Sequence, residues 1–283
     1  MRYLYFDNNI IIDLTNGRNQ EIKKVVDALD RKVDRIIFSP AHIEEISDVI
    51  RHHGQPLKRA HDKLDFLKNL TESYCLLPYP NPYLRPVRNN GINTYQEDPY
   101  STFSRVYGKS NRNIFPEQHQ REKLERGERI ESENVVNNDD TKIDPIEILE
   151  KYKTELVKIV NLHHKIMRRN LTLKEFVPSK KITLSMIKYE YLKNYFPLLE
   201  MVIEKAMENL EYNRYYPDLS AKYVASMHDT THAIYGAYTD VFVTNDGNFA
   251  KKVEAVYKWL GVKTKVMTRQ QFIEIELSGS ATA

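Results

Sequence analysis

Near each end of this 283-residue chain a short apolar run stops on an acid, as Tyr3-Leu4-Tyr5-Phe6-Asp7 and as Val241-Phe242-Val243-Thr244-Asn245-Asp246. Aromatic and β-branched residues at this density favour buried strands. The segment Arg2 to Leu14 therefore predicts a strand running into a helix or tight turn. A helix over about Gln20 to Arg31 follows, with Ile22, Val25, Val26 and Leu29 at helical spacing. A second strand, Arg35 to Phe38, ends at Ser39-Pro40, a plausible cap for a helix through His53. The other end repeats the theme: a helix from about Leu219 to Ala237, the Val241 strand, a helix from about Phe249 to Trp259, and a last strand over Val262 to Met267. Strands alternating with helices predict a parallel sheet, so the expected class is α/β.

The middle reads differently. Residues 78–145 are rich in Pro, Asn, Tyr, Arg and Glu, and Pro78, Pro80, Pro82 and Pro86 punctuate one stretch, which predicts loops. The run Gln118 to Glu133 is charged on all sides, as a solvated helix or a disordered segment would be. Amphipathic patterns over Ile146 to Arg169 and Leu184 to Leu210 predict helices. The simplest architecture is one discontinuous domain, residues 1–72 with 219–275, and an insertion at 73–218. The insertion would be loop-rich over 78–145 and helical over 146–218, and 276–283 would be a disordered tail.

No apolar run approaches the length that spans a bilayer, and no basic-then-apolar leader opens the sequence, so a cytoplasmic protein without a membrane partner is expected. The single cysteine, Cys75, forbids an intrachain disulfide and a cysteine-based zinc site. Any metal would need carboxylates or histidines. A net charge of +3 neither supports nor excludes a nucleic-acid partner.

Four carboxylates fall where the predicted strands end or helices begin: Asp7, Glu45, Asp229 and Asp246. In an open parallel sheet, ligands bind beyond the carboxyl ends of the strands. Two like charges about 4 Å apart repel by roughly 4 kcal/mol at an effective dielectric near 20, which a divalent cation relieves. Mg²⁺ takes hard oxygen ligands and keeps several waters, so a few carboxylates suffice. Such ions activate water and offset charge developing on a phosphate. Three of the four also have a plainer role open to them: Asp7 as a helix cap, Asp229 as a mid-helix charge, Asp246 as a turn residue.

At these residues the sequence resembles the PIN domain family. Tyr5-Phe6-Asp7-Asn8-Asn9 resembles its opening strand and first acid, and Ser39-Pro40-Ala41-His42-Ile43-Glu44-Glu45-Ile46 its second-acid helix. Asp229-Thr230-Thr231-His232-Ala233 resembles the third-acid helix. Val241 to Phe249 is the nearest likeness, a strand with a Thr-x-Asp end and a following Phe. The resemblance covers about residues 1–72 and 219–275. It implies a PIN-like three-layer fold with a central parallel sheet, interrupted here by the mostly helical insertion that the amphipathic patterns predict. It also implies an endoribonuclease using Mg²⁺ or Mn²⁺ held by Asp7, Glu45, Asp229 and Asp246, with RNA as substrate and the 3′-oxygen leaving. Self-association, common in the family, is a further expectation. The sequence departs from the family in placing well over a hundred residues between the second and third acids, and in flanking the third with His228 and His232.

Other readings stand beside this one: a nuclease for DNA or flap structures, a toxin or antiphage-defence effector controlled by a regulatory protein partner, or a non-catalytic scaffold. Glu44 competes with Glu45 but lies about 100° away on the helix. Asn9, Thr244 and Asn245 are candidates for orienting carboxylates or substrate, or for turn geometry. His42 lies one turn before Glu45, and His228 and His232 are candidates for substrate orientation or proton transfer, or structural. Asp240 precedes its strand and reads as structural, and His163-His164 as a partly buried face. Tyr79, Tyr83, Tyr95, Tyr100 and Tyr107 interleave with Arg85, Arg88, Arg105 and Arg112, either to stack bases beside phosphates or to dock a loop. Tyr189, Tyr191, Tyr195 and Phe196 read as helix-packing residues.

Overall fold

The computed structural model describes residues 1–51, 56–78, 88–89, 92–109, 144–170, 173–217 and 223–280. In chain order the elements are β1 (Arg2–Phe6), α1 (Asn8–Asn16), α2 (Gln20–Ala28), β2 (Asp34–Ile37), α3 (Pro40–Arg51), α4 (Leu57–Thr71), β3 (Tyr74–Leu77), β4 (Arg88–Asn89), β5 (Asn93–Gln96) and α5 (Pro99–Lys109). After these come α6 (Pro145–Arg169), two 3-10 turns (Lys174–Phe176 and Leu184–Met186), α7 (Tyr189–Leu192), α8 (Phe196–Tyr212) and α9 (Tyr223–Gly236). The chain closes with β6 (Val241–Thr244), α10 (Gly247–Leu260), β7 (Lys265–Thr268) and α11 (Arg269–Ser280).

Two compact units divide these elements. The first comprises Met1–Ser110, Tyr235–Ala250 and Lys263–Ala283; the second comprises Asn111–Ile234 and Lys251–Val262. The first unit is α/β, with helices flanking a four-stranded parallel sheet in the order β2-β1-β6-β7. The two inner strands carry apolar side chains on both faces: Leu4, Tyr5, Phe6, Phe242 and Val243 are all sealed from solvent. That is why their sequences run apolar without a polar phase. Around them Ile10, Leu14, Ile22, Val25, Leu64, Leu67 and Phe272 complete one core. Burying each such side chain contributes about 1.5–3 kcal/mol.

Local chemistry sets the element ends. Asn19 caps α2 by accepting from Glu21 and Ile22 N–H, both at 3.0 Å. Gly17 ends α1 at φ 62°, a left-handed position that suits glycine. Arg2 ties the first strand to the last helix, with Nε 2.7 Å from Asp34 and a two-pronged bond to Glu276 at 2.7 and 3.0 Å. The segment expected as a tail thus begins inside α11, which runs to Ser280; residues 281–283 lie outside the described ones.

The region read as loop-rich contains real elements. β5 pairs antiparallel with β3 and β4, and a parallel bridge between Phe38 and Cys75 joins this three-stranded sheet to the first. α5 packs on α3 and α4, and residues 73–110 belong to the first unit. Conversely, 219–234 and 251–262, expected in the nuclease-like domain, fall in the second unit. The Gln118 to Glu133 run lies outside the described residues.

The second unit is helical. α6 and α8 pack together through Leu149, Leu156 and Val160 on one and Leu198, Val202, Ile203 and Leu210 on the other. Asn161 holds the following loop by exchanging two hydrogen bonds with the Ile182 backbone, at 2.8 and 2.9 Å. Among the described residues no helix is long and apolar enough to cross a membrane.

Candidate functional site

Strand order indicates where a crevice would form before any side chain is considered. From β1 the chain steps outward to β2 on one side, and its later strands β6 and β7 extend on the other. The order therefore reverses between β1 and β6, and ligand crevices in open α/β sheets form outside the carboxyl ends of strands at such a switch point. Asp7 and Asp246 follow those two strands.

Asp7 is 1% exposed and continues the ladder by one step, its N–H donating to Val243 O at 2.9 Å. Its side chain caps α1, with Oδ1 accepting from Ile10 N–H at 3.0 Å, while Oδ2 accepts from the Thr244 hydroxyl. The same Thr244 oxygen accepts from Asp246 N–H at 3.1 Å. Asp246, half-buried, caps α10 through Oδ1, which accepts from Asn248 and Phe249 N–H at 2.9 and 3.0 Å. The first and last acids are therefore linked by one fully buried threonine. The plainer role expected of Asp7 is thus realised as well, whereas Asp246, expected as a turn residue, is a helix cap too.

Glu45 is brought to the same place by its helix. Ser39 Oγ accepts from Ala41 N–H at 3.2 Å at the start of α3 and lies 2.6 Å from the Tyr5 hydroxyl on β1. His42, 1% exposed, accepts from Ser39 N–H through Nδ1 at 3.1 Å, which leaves Nε2 to donate to Phe6 O at 2.8 Å. This pattern needs the neutral imidazole with its proton on Nε2. His42 thus braces α3 against the carbonyl that precedes Asp7, and its burial suits that role better than proton transfer. One turn later Glu45 Oε2 accepts from the Asn8 side-chain amide.

Asn8, which the sequence reading passed over, is 9% exposed and makes this contact; Asn9 and Asn245 are exposed and Glu44 is half-buried. The reading also missed Lys63 on α4. Burial lowers its pKa, Glu45 opposes that shift by charge attraction, and Arg59 adds to it by repulsion.

Asp229, half-buried on α9, belongs to the second unit, as do His228, half-buried, and His232, 1% exposed. Asp240 is structural: its Oδ2 accepts from Tyr3 N–H at 2.7 Å and its own N–H donates to Tyr3 O at 3.0 Å. His163 and His164 bond the carbonyls of Ile159 and Pro178 at 3.0 and 2.7 Å. Of the interleaved tyrosines and arginines, Tyr95 is core, the Tyr100 hydroxyl donates to Asp65 at 2.9 Å, and Arg105 pairs with Glu97. Tyr79, Tyr83, Arg85 and Arg112 lie outside the described residues, and the side chains of Arg88 and Tyr107 are not among the described ones. Tyr189 and Phe196 are buried, and Tyr191 packs on Tyr195 at 5.4 Å.

Among the described residues, no group of three or more His, Cys, Asp or Glu side chains stands together as a ready set for a metal ion. The donor chemistry still suits a hard cation. The Asp7 carboxylate and the Asp246 N–H meet at one hydroxyl, and Glu45 is bound by the residue next to Asp7. Mg²⁺ needs only one or two carboxylates when waters and substrate phosphates fill its remaining positions. A scan against protein-family models and searches of curated proteins and of solved structures found no match.

Proposed function

We propose that this chain is a Mg²⁺- or Mn²⁺-dependent nuclease, acting on RNA as an endonuclease, with Asp7 and Asp246 as the carboxylates its first unit would offer the ion and Glu45 joining through bridging water. The observation that carries the proposal is the pair Asp7 and Asp246 at the switch point of the parallel sheet, joined through Thr244. Support for RNA comes from the resemblance of the two acid-bearing ends to the PIN family. That same resemblance would make the first unit PIN-like and adds Asp229, which needs its own substitution as a test.

The bound ion would supply positive charge to phosphate oxygens and make a water easier to deprotonate. The chain's residues do the positioning. The cap bond from Ile10 and the Thr244 hydroxyl fix the Asp7 carboxylate, so little reorganisation accompanies substrate binding. Asn8 holds Glu45, and His42 fixes the backbone ahead of Asp7. Overall, water adds to the phosphorus, the bond to the 3′-oxygen breaks, and that oxygen leaves with a proton.

The test is cleavage of labelled single-stranded RNA, single-stranded DNA and branched DNA by the full chain, with Mg²⁺, Mn²⁺ or EDTA. The Asp7→Asn protein is run alongside. Asparagine is as good a helix cap as aspartate, so the substitution removes charge while keeping the cap. The expected result is metal-dependent RNA cleavage that falls by roughly a hundredfold or more in Asp7→Asn. Cleavage by Asp7→Asn at the wild-type rate contradicts the proposal. Preference for either DNA substrate would move the reading to a DNA nuclease.

A further inference from the structure

Residues 173–182 return along the end of α6, held there by three of its side chains. Arg168 donates to Lys174 O at 3.1 Å, His164 Nε2 donates to Pro178 O at 2.7 Å, and Asn161 exchanges bonds with Ile182 at 2.8 and 2.9 Å. Asn161 to Arg169 spans only about 12 Å of helix. Within 161–182 the sequence holds six cations and one acid, Glu175, a net of +5 where the whole chain carries +3. Lys165, Arg168, Arg169, Lys174, Lys180 and Lys181 are all exposed. Lys165 and Arg169 each follow a residue that holds the returning segment, so both stand about 100° round the same flank of the helix.

Earlier on α6 the lysines are matched. Lys151, Lys153 and Lys158 each pair with a glutamate three or four residues before, at 2.6, 2.9 and 2.9 Å. Past Lys158 the helix carries no acid, and among the described residues none of the six cations forms an ion pair. The helix dipole favours Arg168 and Arg169 in the last turn, but it does not account for Lys174, Lys180 and Lys181 beyond it. Like charges gathered this closely repel, and a polyanion relieves them. A bilayer fits less well, because the apolar stripe of Leu149, Leu156 and Val160 is taken up by α8. Leu162, Ile166 and Leu184 are exposed nearby but make too narrow a face to bury in lipid. We infer that this surface of the second unit binds the phosphate backbone of single-stranded RNA. The choice of RNA among polyanions rests on the nuclease reading.

Counterion release gives the test. Each phosphate neutralised on a single strand adds roughly 0.7 to the slope of log affinity against log salt. The probe is a fluorescent single-stranded RNA oligonucleotide, titrated with the full chain in EDTA so that metal-dependent cleavage is off. Lys180→Gln with Lys181→Gln should lower the slope by roughly 1.4 and weaken binding tenfold or more at about 0.1 M salt. Lys180→Arg with Lys181→Arg should leave both near wild type. Lys151→Gln with Lys158→Gln removes the same charge from the glutamate-paired part of α6 and should change the slope by less than half as much.

An unchanged slope after Lys180→Gln and Lys181→Gln overturns the inference, as does an equal loss from Lys151→Gln and Lys158→Gln or RNA that does not bind at all. Binding to phosphatidylserine vesicles that needs Lys180 and Lys181, with RNA left unbound, overturns it in favour of a lipid surface. Metal-dependent RNA cleavage with an unchanged slope overturns it alone and keeps the nuclease reading. A slope that depends on Lys180 and Lys181, in a chain that cleaves nothing with either metal, keeps this surface and overturns the nuclease reading.

Discussion

The two ends of the parallel sheet both carry aspartates, and they use them differently. At the amino end, Asp34 is paired with the Arg2 guanidinium, and Asp240 clasps the Tyr3 backbone with both its carboxylate and its N–H. Those bonds tie strands into register. At the carboxyl end, the Thr244 hydroxyl donates to the Asp7 carboxylate and accepts from the Asp246 N–H, the Asp246 carboxylate caps α10, and the Asn8 amide donates to Glu45. The acids of the amino end bond to β1 itself, whereas those of the carboxyl end lie at the switch point where ligand crevices form in such sheets. The contrast teaches which acids hold the fold and which hold a site.

Substitutions at the two ends should therefore separate activity from stability. The largest effect is expected for Asp246→Asn, which should cut cleavage by roughly a hundredfold or more while the thermal midpoint stays near wild type. Full activity in that protein would erase the distinction between the ends. Thr244→Val removes the hydroxyl but keeps the shape, and loss of such an orienting contact costs roughly 10–100-fold in activity or metal affinity. Metal titration of the variant would sharpen the comparison by showing which of the two falls.

Smaller effects belong to the amino end, and there they should appear in denaturant midpoints with cleavage preserved. Asp240→Ala strips the Tyr3 N–H of its acceptor at the edge of two strands, for a loss of about 1–3 kcal/mol. Arg2→Ala breaks the link between β1, Asp34 and Glu276; for partly exposed pairs the loss should be about 1 kcal/mol. Either variant folding normally but failing to cleave would break the comparison.

Legibility in the sequence followed the same divide between local and distant causes. β1 and β6 announce themselves because a strand covered on both faces must be apolar throughout, and the acids after them are read by position alone. The α5 helix was hidden by the prolines ahead of it, which drew the whole stretch into a loop reading. β5 has only Thr94 and Tyr95 buried, too short a pattern to see without its partner β3. α4 is mostly polar, and its buried stripe of Ala60, Leu64, Leu67 and Leu70 is sparse.

Within the site, the choice between Asn8 and Asn9 depends on the phase of α1 at its first turn, which composition does not fix. Lys63 is separated from Glu45 by a second helix, so only the packing of α4 on α3 brings their charges into range. His42 was read one turn from Glu45, correctly by spacing, but its partners Ser39 and Phe6 became visible only in three dimensions.

The most direct measurement is a crystal of the full chain soaked in Mn²⁺ and inspected by anomalous scattering. An ion beyond the ends of β1 and β6, with oxygens of Asp7 and Asp246 or their bridging waters in its coordination shell, is the result the account predicts. Saturating Mn²⁺ that leaves the Asp7 carboxylate on Thr244 and that of Asp246 on the α10 cap, with no anomalous peak beside them, would contradict it.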